Sequence, residues 1–156
     1  MEDTQANMLY ERFQRLEEMI ERTSQILKSL VENQGNAIRV EYSQKTVYMV
    51  LSQITDVHGK CCGVRWSKFK FVNSNRVWIN SRKVGQKNVA VMEKMDVQGR
   101  YKYKEITDIV KKTTSVRNDL MTKKKSIMGT LQSLGQGNKN EKSLQEIEKK
   151  FESFLL

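Results

Sequence analysis

The chain has 156 residues, 38% of them apolar, and a formal net charge of +10. That length suits one ordinary domain or a small domain flanked by helices. The apolar share, low against a usual ~45–50% with glycine counted in, excludes a large core, and the charge favours an acidic partner such as nucleic acid or an anionic membrane surface.

Proline is absent, where average usage of about 5% would give roughly eight. Its absence suits long helices and excludes a proline-rich linker. The two cysteines, Cys61 and Cys62, are adjacent; neighbours rarely bridge each other, and two make no disulfide framework. Glu2, Asp3, Glu11 and Arg12 interrupt any signal-like apolar run at the N-terminus. No segment approaches the ~18 continuous apolar residues of a membrane span. These features predict a soluble intracellular protein, cytoplasmic or nuclear.

Charge is unevenly placed. Residues 1–34 carry four basic and seven acidic groups, residues 35–110 fourteen and six, and residues 111–156 ten and five. An acidic polymer would therefore meet the middle and the C-terminal part. The pattern predicts an α+β chain in three segments: an N-terminal coiled-coil helix (1–34), a small basic α+β domain containing a β-hairpin (35–104), and C-terminal helices (105–156).

In the first segment Leu9, Phe13, Leu16, Ile20, Thr23, Leu27 and Leu30 recur at spacings of four and three. That is a heptad seam, with Phe13, Ile20 and Leu27 at a, and Leu9, Leu16, Thr23 and Leu30 at d. Leu9, Phe13, Leu16, Ile20, Leu27 and Leu30 are the candidate oligomerisation residues, for a parallel dimer or higher. The apolar g positions Met19 and Ile26 widen the stripe, which also suits packing onto the chain's own domain.

Residues 37–42 alternate as a short strand. Residues 44–55 are rich in β-formers, yet Val47, Val50, Leu51 and Ile54 complete one helical face, and a helix is predicted. Asp56 to Gly63 reads as a glycine-bounded loop. Residues 64–72 and 76–83 form a hairpin signal across a three-residue turn, Asn73-Ser74-Asn75. Alternation then places Phe69, Phe71, Val77 and Ile79 on an apolar core face. The other face receives Trp66, Lys68, Lys70, Arg76, Trp78, Asn80 and Arg82. Flat rings stack on exposed bases and cations neutralise phosphate, so Trp66, Lys68, Lys70, Arg76, Trp78 and Arg82 are candidate single-strand contacts. The plainer reading packs the tryptophans beneath a flanking helix, with lysines snorkelling at the edge.

Residues 88–96 suit a short helix, broken by Gln98-Gly99. From Lys104, two readings compete. A short helix, the turn Thr113-Thr114-Ser115 and a second helix resemble a helix-turn-helix, offering Arg117, Lys123, Lys124 and Lys125 to a duplex. One long helix from Glu105 to Leu134 fits the nearly continuous apolar set better. Gly135 to Asn140 reads as a loop before a last helix carrying Leu144, Ile147, Phe151, Phe154 and Leu155, a stripe able to pair with the first helix or with a partner.

Catalytic and metal chemistry find little support. His58 is the single histidine, and His58-x-x-Cys61-Cys62 lacks the paired spacing of structural zinc sites. There is no phosphate-cradling glycine loop and no dinucleotide fingerprint. The sequence therefore predicts a self-associating, non-enzymatic protein that uses no cofactor or metal and binds DNA or RNA through a basic, aromatic surface. The alternative is a coiled-coil scaffold or adaptor joining protein partners.

Overall fold

A computed structural model describes residues 2–79, 82–83 and 89–155, with side chains for 4–79, 91–134 and 142–154. The elements run α1 (Glu2–Glu32), β1 (Ile38–Glu41), β2 (Thr46–Thr55), β3 (Cys61–Val72), β4 (Asn75–Trp78), β5 (Arg82–Lys83), α2 (Val89–Met92) and α3 (Val97–Leu155). The strands form an antiparallel meander in the order β1-β2-β3-β4, and β5 also pairs with β3. The α+β class and the N-terminal helix are as the sequence implies.

Two compact units emerge: residues 20–118, and residues 1–19 with 119–156. In the first, one face of the sheet is the core. Ile38 and Val40 of β1, Met49 and Leu51 of β2, and Val64 and Trp66 of β3 bury against Leu27 of α1, Val91 and Met92 of α2, and Tyr103, Ile106 and Val110 of α3. Alternating burial along β1 and β2 produces this one-sided layer. In the second unit α1 and α3 run antiparallel: Glu17 pairs with Lys124 at 3.4 Å, and Lys124 lies 5.3 Å from the centre of the Phe13 ring. Leu16 and Leu120 are buried there.

Four sequence expectations change. Residues 46–55 form strand β2, not a helix. Their helical spacing coincides with an alternation of buried Val47, Met49 and Leu51, and pairing with both β1 and β3 decides the outcome. Cys61, Cys62 and Gly63 belong to β3 rather than a loop, so the connection shortens to the turn around Gly59 (φ 78°).

The break at Gly99 becomes a helix start. The Gly99 backbone N–H donates to the Asp96 carboxylate at 2.6 Å, capping α3. A Cβ on Gly99 would meet that oxygen at 2.9 Å and Ile38 at 3.2 Å, so glycine lets the cap close. From there α3 runs 59 residues without interruption. Neither the Thr113-Ser115 turn of a helix-turn-helix nor the loop at 135–140 forms. Thr113 is absorbed by donating its hydroxyl to the Ile109 carbonyl at 2.8 Å.

Candidate nucleic-acid interface

The hairpin between β3 and β4 turns on two residues, not three. Asn73 and Ser74 both take positive φ (51° and 68°), the conformation of a type I′ turn, whose twist suits the flanking strands. Val72 therefore pairs with Asn75, Phe71 with Arg76, Lys70 with Val77 and Phe69 with Trp78. A slip of one residue moves a whole strand's side chains to the opposite face. Trp78 thus joins Phe69, while Lys68 and Lys70 share the helix-packed face with Trp66.

On the outer face, Arg39, Tyr48, Phe69 and Trp78 form a single cross-strand row from β1 to β4. Tyr48 stacks on Phe69 at 5.4 Å and 20°, and Trp78 meets Phe69 edge-on at 5.3 Å and 64°. Phe71 stands at right angles to Phe69 at 5.5 Å. The Arg76 guanidinium lies 4.6 Å from the centre of the Phe69 ring. Phe69 is consequently buried, whereas Phe71 and Trp78 remain 51% and 55% exposed. Arg65, in register with Ser52, adds an exposed cation to the same face. Arg39 is ion-paired with Glu41 at 2.7 Å. Exposed rings flanked by guanidinium groups make a surface that can stack bases and contact phosphates.

The sequence-predicted residues scatter over several places. Trp66 is 3% exposed and stacks on Tyr103 at 5.3 Å, so it belongs to the core. Arg117 is buried and donates to the Ile20 carbonyl (3.4 Å), the Thr23 hydroxyl (3.1 Å) and the Ser24 hydroxyl (2.7 Å) of α1. Both are withdrawn from any surface contact with a polymer. Arg76 and Trp78 remain on the outer face. The backbone of Arg82 pairs with Trp66, while its side chain and Asn80 lie outside the described residues. Lys123 pairs with Asp119 at 3.0 Å, Lys124 with Glu17, and Lys125 is exposed.

The seam of α1 is covered by the chain's own residues. Leu16, Ile20, Thr23 and Leu27 are buried, and Leu9, Phe13 and Leu30 are half-buried. Sequence reasoning missed Tyr48, Phe71, Arg39 and Arg65; the β-forming composition of residues 46–55 was the signal available for Tyr48.

The two thiols sit at a β-bulge, where Thr55 pairs with Cys61 and Ile54 with Gly63; Cys61 is buried and Cys62 half-buried. Burial pushes the Cys61 thiol above its ordinary pKa, which opposes a reactive thiolate. Among the described residues no group of His, Cys, Asp and Glu is arranged to hold a metal. No described helix is long and apolar enough to cross a membrane.

Comparison with protein-family models, curated proteins and solved structures returns no match. The function must be argued from the outer face itself.

Proposed function

We propose that this is a non-enzymatic, intracellular nucleic-acid-binding protein, cytoplasmic or nuclear, that holds single strands on the outer face of its sheet. The observation that carries the reading is the exposure of Trp78 and Phe71 beside Arg76, on a face opposite the helices. A globular sheet without a partner for one face usually keeps that face polar. Here it keeps two large rings in water, and sequence-tolerant stacking is a use for them. Self-association belongs to the same reading, because joined copies raise the effective concentration of weak sites.

The test is fluorescence anisotropy with labelled single-stranded and duplex oligonucleotides, each at low and moderate salt. Salt-sensitive binding with a preference for single strands supports the reading, and loss of that binding in Trp78→Ala assigns it to this face. No binding at low salt overturns it. A protein scaffold is the second reading, favoured by the exposed stripe Leu144, Ile147, Phe151 and Phe154 at the end of α3.

A further inference from the structure

The last turns of α3 carry an apolar stripe left in water. Leu144, Ile147, Phe151 and Phe154 are 58%, 62%, 63% and 87% exposed, and their 3-4-3 spacing sets them on one side of the helix. With Glu17 of α1 opposite Lys124 and the helices antiparallel, the first turn of α1 reaches roughly residue 139 of α3 at an equal rise per residue. The stripe lies beyond that reach. At ~100° per residue Glu148 and Glu152 border one edge of it and Lys150 the other. Neither glutamate has an ion pair among the described residues.

The same compact unit holds a complementary feature. A groove of about 400 Å³ opens between α1 and α3, floored by Leu16, Met19 and Ile127 and rimmed by Arg12, Arg15 and Lys123. Met19 is 38% exposed there. Arg12 and Arg15 have no ion pair among the described residues. One chain thus presents an apolar stripe with an acidic edge and an apolar groove with a basic rim. A continuous helix cannot fold its own end back into that groove.

We propose that residues 142–154 of one copy seat in the Leu16–Met19–Ile127 groove of a second copy, and reciprocally, so that two chains close a two-fold dimer. Glu148 and Glu152 face Arg12 and Arg15 across the contact. Reciprocity doubles the contact and leaves no open end on which a filament could grow. Four phenylalanines, two from each copy and 63% and 87% exposed in the free chain, bring roughly 450–750 Å² to it when fully covered. The aliphatic side chains and the groove walls add to this, toward the ~1,200–2,000 Å² of a stable interface. Self-association therefore moves from the α1 seam, which the chain itself covers, to the far end of α3.

Sedimentation velocity of the full chain over a range of concentrations tests this. The expected result is a reversible species of twice 18.3 kDa. Ile147→Asp with Phe151→Asp, both on exposed positions, should yield a folded monomer that loses only the concentration-dependent part of the thermal stability. Arg12→Glu with Arg15→Glu should weaken the dimer at least tenfold, as should Glu148→Arg with Glu152→Arg, and the four changes combined should restore it. A wild-type monomer at every concentration overturns the proposal. So does a dimer that survives the Asp substitutions. If tail substitutions break the dimer while the Arg12 and Arg15 reversals leave it intact, the tails pair with each other and the groove assignment is wrong. None of these substitutions touches the outer sheet face, so oligonucleotide binding by the monomeric variants reports on that face separately.

Discussion

Trp78 stands directly opposite Phe69 across β3 and β4, with ring centroids 5.3 Å apart and planes at 64°. This pairing separates the two tryptophans of the chain. Trp66 lies three residues before Phe69 and so points to the other side, into the core. Two residues that share a chemistry thus have opposite roles: one packs under helices, the other borders the open face of the sheet.

The contrast makes the first prediction. Trp78→Ala should weaken single-strand binding about 5- to 150-fold, from the ~1–3 kcal/mol assigned to stacking one base on one ring. Phe71→Ala should act in the same direction. Both positions are half-exposed, so thermal unfolding should move little. Trp66→Ala should do the reverse, costing roughly 3–5 kcal/mol of stability as a truncated core aromatic and leaving the affinity of the folded protein unchanged. Anisotropy titrations paired with denaturant unfolding separate the two. Equal losses of affinity at both positions would remove the outer face from the argument.

The sequence made the chain's class legible, but not the sidedness of its sheet. The heptad of α1 was legible because burial follows it position by position from Leu16 to Leu27; what covers it was not, since a seam looks the same whether the partner is another chain or α3. Strand β2 was hidden because Val47, Val50, Leu51 and Ile54 satisfy a helical period while Val47, Met49 and Leu51 satisfy a two-residue one, and the choice rests on pairing with β1 and β3. The face of Trp78 was lost to a single residue. Asn73-Ser74-Asn75 allows either turn length, and every side chain of β4 depends on which is taken. Gly135 and Gly137 in α3 carry a local cost that the rest of the long helix overrides.

Salt dependence provides a second prediction. The outer face offers Arg65 and Arg76 to phosphates, Arg39 being paired with Glu41. About 0.7 counterions are released per phosphate neutralised on a single strand, so two contacts correspond to a slope of about −1.4 in log K against log salt. Arg76→Glu should flatten that slope as well as weaken binding. Lys123→Ala, on a residue already paired with Asp119, should change neither. A slope near zero in the wild type would mean that the face does not bind the backbone.

Arg117 provides a third prediction, concerning stability alone. Its guanidinium is buried and donates to neutral oxygens of α1, those of Ile20, Thr23 and Ser24. Hydrogen bonds from a charged group contribute roughly 1.5–3 kcal/mol, and Arg117→Ala also takes the donor from the Ser24 hydroxyl, while Thr23 keeps its bond to the Ile20 carbonyl. The expected loss is about 2–3 kcal/mol of unfolding free energy, with oligonucleotide affinity and salt slope unchanged while the protein is folded. A drop in affinity without a drop in stability would return Arg117 to the binding surface.

The turn between β2 and β3 provides a fourth prediction, in pH. The Asp56 carboxylate accepts the backbone N–H of Lys60 at 3.0 Å and that of His58 at 2.8 Å. The Lys60 bond is the stronger influence, and together these bonds outweigh partial desolvation and hold the carboxyl below its ordinary pKa. A carboxyl depressed in the folded state adds stability above its unfolded value, ~3.9 for an aspartate, and loses it as pH falls through the lower folded value. Asp56→Asn keeps an acceptor oxygen at the turn but removes the titration. The melting-temperature difference between wild type and Asp56→Asn should therefore stay constant from neutral pH down to about 4 and shrink below it. Thermal melts across that range read the difference directly. A constant difference down to pH 2 would show that the turn is held by the shape of the loop around Gly59 and not by the carboxylate charge.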